Sequence, residues 1–567
     1  VPLSVLGFET FERNVMKERE SDQKEASTLT RRGFIELGLG ATVLAVACSQ
    51  DAGPGEGSTA SPSSPATFEL DEMTVSDLQD AMASARLTSR GITEMYLSRI
   101  EAIDGQGPTL RSILETNPEA LDIAASLDDE RTSGNLRGPL HGVPIILKDN
   151  IDTSDKMTTT AGSYALEGSI PAQDATVAAK LRDAGAVLLA KANLSEWANM
   201  RSKTSTSGWS GRGGQCRNPY ALDRNPCGSS SGSGVAVSAN LTAVAIGTET
   251  DGSVVCPANA SGIVGVKPTI GLVSRAGIIP ISHTQDTAGP MARTVRDAAL
   301  VLGAIAGTDP RDEATAAGAG HEEKDYTQFL DPAGLRGARI GVVRKAFGAQ
   351  YKLDSVIEDA LVALRDQGAE LVDPVEFDTW DDFGKDEFEV LLYEFKAGIN
   401  KYLAGLGAAA PNKMLADLIE FNEQNRDKEM PYFDQDIFIQ AQEKGPLSSP
   451  EYLESLESCR RLSRKEGIDA VMDRHNLDAL VAPTGGPAWV TDLVHGDHSY
   501  AGSSGAAAVA GYPNITVPAG TIHGLPVGLS FFGRAWSEPT LLKLSYAFEQ
   551  ATQWRRKPKF KPHAIDY

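Results

Sequence analysis

Apolar positions change period several times along the chain, and each change marks an element. From Thr74 the spacing is helical: Thr74 and Asp77 have the form of a capping box, and Ile92, Tyr96, Ile100 and Ile103 line one face. Residues 143–148 (VPIILK) form a short continuous apolar run, as a strand buried on both faces does. Residues 176–191 (TVAAKLRDAGAVLLAK) read as a helix, a stop at Gly185 and a second buried strand. Further strand units are expected at 241–250, 337–343 and 478–484. Strands alternating with helices predict an α/β fold, a central sheet covered by helices on both faces. Residues 377–467 are dense in Asp, Glu, Lys and aromatic side chains at helical spacing, so a helical insertion covering one side is expected there. No internal repeat with a period of about 20 to 50 residues is visible, which argues against a solenoid.

The N-terminal pattern is of another kind. Arg31 and Arg32 precede a 14-residue, mainly apolar run from Phe34 to Ala47, shorter than the roughly 20 residues a membrane span needs. A positive segment, a short apolar run and an A-V-A end describe a secretory signal, and the paired arginines resemble the twin-arginine export signal of bacteria. Cys48 follows, and the Ser, Gly and Pro content of residues 48–67 suits a flexible tether. Together these resemble a bacterial lipoprotein signal. Ala45 stands where such signals usually carry Leu, so lipidation of Cys48 and simple cleavage near it both stay open. The expected organisation is a leader over 1–47, with Met16 a candidate start, a tether over 48–67 and a folded domain over 68–567. The expected location is the periplasm or, through a lipid anchor, the cell envelope.

Composition narrows the partners more than the fold. The 567 residues, 41% apolar and 23% charged, are an ordinary globular mix. Against 53 Lys and Arg stand 76 Asp and Glu, a net charge of −23, which argues against nucleic acid and gives no reason to dock on anionic lipid except through an anchor at Cys48. Five cysteines (Cys48, Cys216, Cys227, Cys256, Cys459) are too few for a disulfide scaffold and form no C-x-x-C pair. Whether Cys216 and Cys227 pair is left open.

Candidate chemistry concentrates between residues 208 and 262. There the chain reads GWSGRGGQCRNPYALDRNPCGSSSGSG, then a strand-like stretch, then GTETDGSVVCPANASG. Gly and Ser at this density cannot build a core; they make either a linker or a site in which backbone amides and hydroxyls approach a ligand. Apolar LTAVAIG between the two runs pins both to core elements, which favours a site. A nucleophilic serine needs a base. Among eight histidines, His141 precedes the first buried strand, His283 and His523 lie near Pro-containing turns, and His495 and His498 form H-G-D-H without a third ligand. Each reads as a surface or packing residue, and no metal-ligand set is recognised. Lysine is the remaining base. Its pKa must fall by about 3 from 10.4, at a cost of about 4 kcal/mol, which burial can supply. Lys148 ends an apolar strand and fits that demand; pairing with Asp149 is the alternative.

These residues resemble the amidase signature hydrolases, which use a Ser–cis-Ser–Lys triad. G-V-P-I-I-L-K-D-N resembles the family's lysine strand, P-C-G-S-S-S-G-S its Gly/Ser loop and G-T-E-T-D-G-S its nucleophile loop, in the family's order and spacing over about residues 70–560. The resemblance implies a central mixed sheet covered by helices on both faces. It implies Ser253 as nucleophile, Ser229 as bridging serine, Lys148 as base, and an oxyanion hole from the amides of Thr250, Asp251, Gly252 and Ser253. If a helix starts at Ser253, its dipole adds to that hole. No cofactor and no obligate protein partner are implied. Cys227, Ser231 and Asp251 replace family glycines, and the Asp251 carboxylate is expected to turn outward. The strings G-T-E-T-D-G-S-V-V-C-P-A, A-P-T-G-G-P-A-W and G-L-P-V-G-L-S-F-F-G-R-A-W-S-E resemble the members that release the C-terminal amide of peptides. A general amidase for small aliphatic or aryl amides is the alternative. Trp489, Trp536, Phe531 and Phe532 are candidates for an acyl pocket, packing being the plainer role. A rival α/β-hydrolase elbow at Ser230 (G-x-S-x-G) needs a strand directly before it, and prolines stand there. The tRNA-dependent amidotransferase member of the family, which works with cytoplasmic partners, is disfavoured by the export signal.

Overall fold

The computed structural model describes residues 68–407, 410–499 and 501–565. The leader and tether expected over 1–67, with Arg31, Arg32 and Cys48, lie outside the described residues. The first described helix, Val75–Ala83, begins at the expected capping box: Thr74 accepts from the Asp77 amide while the Asp77 carboxylate accepts from the Thr74 amide.

Eleven strands form one sheet: β1 (Ile113–Thr116), β2 (Pro144–Lys148), β3 (Val187–Ala192), β6 (Val244–Glu249), β7 (Val264–Lys267), β8 (Thr287–Ala292), β9 (Arg339–Val342), β10 (Glu370–Val372), β11 (Ala479–Pro483), β12 (Asn514–Ile522) and β13 (Leu525–Phe532). The short strands β4 (Trp209–Ser210) and β5 (Gly214–Gln215) pair apart from it. The sheet order is β1-β3-β2-β6-β8-β7-β12-β13-β11-β9-β10. β3, β2 and β6 run parallel, as do β11, β9 and β10, while the middle from β6 through β8, β7, β12 and β13 to β11 is antiparallel. Every residue of β2, β3, β6, β8 and β13 is buried, so both faces of the sheet are covered.

The antiparallel middle was not legible as alternating βα units. Its chief element is the β12–β13 hairpin, closed by His523 and Gly524, both with positive φ, the pair of left-handed residues that a two-residue hairpin turn favours. Between β10 and β11 the described residues contain no strand. The helices Gly384–Gly405, Leu415–Gln424, Arg426–Glu429, Asp436–Gln442 and Pro450–Arg460 fill that stretch. Several contacts fasten this insertion to the sheet half, among them an apolar cluster and the Glu429 carboxylate. Phe395 and Phe438 of the insertion pack in one apolar cluster with Trp197 and Met200. Glu429 accepts from the Tyr164 amide at 2.7 Å and Ser163 Oγ at 3.0 Å.

Candidate active site

Lys148 is the last residue of β2, between β3 and β6 and fully buried. Its Nζ lies 2.8 Å from Ser229 Oγ, 2.9 Å from Thr248 Oγ1 and 3.2 Å from the Thr248 carbonyl. The Asn150 amide donates to the same Thr248 hydroxyl at 2.9 Å. Asp149 turns away and accepts from the amides of Thr160 and Gly162, so the alternative of a Lys148–Asp149 pair does not hold. Burial lowers the Lys148 pKa to about 7, against the opposing charges of Asp286 and Glu249.

Ser229 follows a cis peptide bond after Gly228. A Cβ at Gly228 would sit 2.1 Å from Ser195 Oγ, so a larger residue there would displace the hydroxyl that accepts from the Gly208 amide. Ser229 precedes the helix Ser231–Ser238, and its carbonyl accepts from the Ser195 amide at 3.1 Å. Ser230, the rival elbow serine, is fully buried and tied to β6: its hydroxyl donates to the Thr248 carbonyl and accepts from the Thr248 amide. No strand precedes it directly, which removes the elbow reading.

The second loop leaves β6 at Glu249. Glu249 Oε2 accepts from the amides of Val254 and Val255 at 2.7 and 3.0 Å, so residues 250–253 form an arch clasped at its base. Among the described residues the amides of Thr250, Asp251, Gly252 and Ser253 donate to no acceptor. Gly252 alone of the four has positive φ, +74°; Asp251 therefore needs no left-handed tolerance. The Ser230 amide donates to the Ser253 carbonyl at 3.1 Å, which brings the two serine loops together, while no hydrogen bond joins Ser229 Oγ to Ser253 Oγ. The helix expected at Ser253 begins at Val255 and has six residues; Glu249 occupies its first amides, so the arch rather than the helix end presents free donors.

Asp251 is exposed, as expected of an outward-turned carboxylate. Protein atoms around it hinder hydration of the charged form, which raises its carboxyl pKa. The insertion meets it here: a Cβ on Gly505 would lie 3.4 Å from the Phe383 ring and 3.7 Å from Asp251 Oδ2. Glu387, one turn beyond Phe383, accepts from Gln285 at 2.9 Å and is raised by burial and then by Asp251.

The cysteine pairing that the sequence left open is answered by the structure. Cys227 pairs with Cys256, and Cys216 is free and buried. The bond joins the residue two before Ser229 to the residue three after Ser253, and Cys227 has φ of +60°, which explains why a family glycine stood there. Of the proposed acyl aromatics, Phe531 and Phe532 are fully buried in β13 and Trp536 stacks on His321. Only Trp489 is near the serine loops, packed with Cys227 and Ala260. A cavity of about 620 Å³ lined by Asp152, Arg275, Lys401 and Tyr402 opens elsewhere and includes none of the three triad candidates.

The reading of His495 and His498 also changes. Asp492 supplies the third group, and the ligand atoms of the three lie within 4.8 Å of one another. Thr248, Glu249, Asp286 and Asp492 escaped the sequence reading. The first two stood inside a quoted motif; the other two contact their partners only through the fold.

Residues 91–542 match the family model described as Amidase. This chain belongs to the amidase family. A protein of Arabidopsis thaliana named probable amidase is 43% identical over 503 residues, covering 87% of this chain and 93% of that one. The crystal structure of the native peptide amidase from Stenotrophomonas maltophilia superposes with a TM-score of 0.83 at 53% identity, over 87% of this chain and 99% of that one. A peptide amidase in complex with the competitive inhibitor chymostatin gives 0.84 at 53%, over 86% and 99%. The fold is the amidase signature fold, and the chain is an amide hydrolase.

Proposed function

We propose that the enzyme releases ammonia from the C-terminal carboxamide of peptides through an acyl-enzyme on Ser253. The observation that carries the mechanism is the surroundings of the Lys148 amine. Two of its three close partners are acceptors on Thr248, which take the two N–H bonds of a neutral amine and leave its lone pair for the Ser229 hydroxyl. Burial brings the amine's pKa down to about 7, so that a substantial neutral fraction is present near neutral pH and it dominates above that. Lys148 takes the proton of Ser229 as Ser229 takes that of Ser253, whose oxygen attacks the carbonyl. The free amides of the arch face the developing alkoxide, each such donor being worth about 3 to 4 kcal/mol. The C–N bond then breaks, the proton returns through Ser229 to the departing ammonia, and water hydrolyses the ester by the same relay.

Selectivity for a terminal carboxamide over an internal peptide bond must come from room on the leaving-group side. The two Gly-rich loops lie against each other there: a Cβ on Gly208 would lie 3.2 Å from Pro226 and from Ser231 Oγ. The insertion reaches the arch through Phe383 and Glu387 and bounds the acyl side. The likeness to two solved peptide amidases supports this substrate class; the alternative is a general amidase for small amides. The test offers one peptide as its C-terminal amide and as its free acid and follows both by mass spectrometry. A gain of about one mass unit in the amide alone fits hydrolysis of the C–N bond, while internal fragments, or turnover confined to small aliphatic or aryl amides, overturn the peptide reading. Sequence alone supports export of the folded enzyme. Replacing Arg31 and Arg32 by lysine should leave precursor in the cytoplasm, and Cys48→Ala should release the protein from membranes if the anchor forms.

A further inference from the structure

We propose that Asp492, His495 and His498 form a binding site for one divalent transition-metal ion of the zinc class, on the loop that follows Trp489, itself packed against the apolar cluster that holds Cys227. The three side chains converge without help from an ion. Asp492 Oδ2 lies 2.9 Å from His495 Nδ1 and 3.2 Å from His498 Nε2, and all three ligand atoms fall within 4.8 Å. A tetrahedral zinc with ligand bonds of about 2.0 to 2.1 Å needs its ligand atoms roughly 3.3 to 3.5 Å apart. The carboxylate and imidazoles are therefore already near that spacing, and small side-chain rotations complete it.

The carboxylate is oriented for this use. Its Oδ1 accepts from the amides of Val494 and His495 at 2.8 and 3.0 Å, so only Oδ2 faces the imidazoles, in the manner of a ligand whose second oxygen is held from behind. The loop's other aspartate does a different job. Asp497 points inward and accepts from the Ser207 amide at 3.0 Å and Trp489 Nε1 at 3.3 Å. The Asp492 carbonyl accepts from Thr206 Oγ1 at 2.8 Å. A Cβ on Gly496 would meet the Thr204 carbonyl at 2.8 Å. The backbone is thus fixed against residues 204–207, and two imidazoles and a carboxylate stay on its outer side.

Two imidazole nitrogens with one oxygen select zinc, nickel or copper over magnesium or calcium, which take oxygen shells. The His495 and His498 side chains are 72% and 57% exposed, so water can complete the shell and an ion can enter from solvent. None of the three residues hydrogen-bonds to Lys148, Ser229 or Ser253, so the ion clamps residues 492–498, close in sequence to Trp489 and the cluster it packs against, and takes no part in the relay.

The test uses the whole chain without a histidine tag, dialysed against a chelator and then titrated with zinc chloride by calorimetry. One ion per chain should bind with a Kd below about 10 μM, corresponding to at least about 7 kcal/mol. The double variant His495→Ala/His498→Ala should weaken binding at least tenfold, and Asp492→Asn should also weaken it. Cobalt should give tetrahedral visible absorption in the parent and not in the double variant. Zinc should raise the melting temperature of the parent only. Absence of saturable binding, or binding that the double variant retains, overturns the proposal. Circular dichroism of the variants separates ligand loss from misfolding, since all three changes are near the surface.

Discussion

Lys148 and Arg201 are two fully buried basic side chains, and the company each keeps differs. Around the Lys148 amine stand two hydroxyls and a carbonyl, with the carboxylates of Asp286 and Glu249 acting only from farther off. Around Arg201 stand the carboxylates themselves: Glu196 forms an ion pair with it, Glu429 Oε2 lies 3.8 Å away, and the Phe433 and Trp209 rings cover it with centroids at 4.2 and 5.2 Å. An amine with no anion in contact sheds its proton when buried, whereas a guanidinium keeps its charge and must be paired. The first arrangement makes a base. The second makes a fastening, because Glu429 belongs to the insertion while Glu196 and Arg201 belong to the sheet half.

The largest predicted effects exchange these roles. Lys148→Arg installs a cation that cannot act as a base, and Lys148→Met removes the amine altogether. Each should lower ammonia release by at least about a thousandfold, with near-native circular dichroism for the smaller Met side chain. Ser253→Ala should abolish turnover. Substantial activity in Lys148→Arg would show that the cation, and not its lone pair, matters, and the contrast with Arg201 would collapse.

Next in size is Arg201→Met, which strands two buried carboxylates. Losing one partner of a buried ion pair costs about 3 to 5 kcal/mol, readable as a lower urea midpoint. Burial already raises the Glu196 pKa against the pull of Arg201, so Glu196→Gln added to Arg201→Met should recover part of the loss. A double variant no more stable than the single one would mean that Arg201 acts by packing alone. On the Lys148 side the corresponding fastening is covalent. Cys256→Ser opens a closure with a sequence separation of 29 and should cost about 3 to 4 kcal/mol, with a partial loss of activity because both serine loops are tied by it.

The same comparison explains what the sequence could reveal. Lys148 stood at the end of a buried strand, and Ser229 and Ser253 in two Gly/Ser runs flanking another, so local pattern and family resemblance were enough to nominate all three. The strands Pro144–Lys148, Val244–Glu249 and Ala479–Pro483 were visible because each is short, continuous and fully buried. Arg201 was not visible as a core residue: Glu429 lies far along the chain in a segment rich in acids, and nothing local marks that one acid as the partner. The Cys227–Cys256 bond and the Asp492 group share that difficulty, since spacing alone does not say which side chains a loop turns toward each other. The mixed character of the sheet came from the family resemblance and not from periodicity, because β12 and β13 are joined by a two-residue turn and carry no helix between them to set a βα rhythm.

The smallest effect tests how far the distant carboxylates matter to Lys148. With its pKa near 7, kcat/KM should rise as pH passes upward through about 7, because only the deprotonated amine accepts the Ser229 proton. The same group costs stability below its unfolded pKa of about 10.4, and that cost shrinks as pH rises from about 7 to that value: in this window the unfolded chain binds the proton and the folded chain does not, so raising pH favours the folded state. Asp286 accepts from Thr250 Oγ1 at 2.6 Å and from the amides of Ile281 and Ser282 at 2.8 Å, and its charge works to raise the Lys148 pKa. Burial raises the pKa of Asp286 itself to about 6, so it is mostly ionised where the limb lies. Asp286→Asn keeps the shape and removes the anion, which leaves the protonated amine less favoured. The rising limb should then move to lower pH, with kcat/KM one pH unit below the parental limb higher by about two- to tenfold, equivalent to at most about 1.4 kcal/mol. A limb that moves upward would mean that Asp286 acts through the position of Thr250 and the arch, and a limb that stays in place would mean that the hydroxyls around Lys148 set its basicity without help from more distant charge.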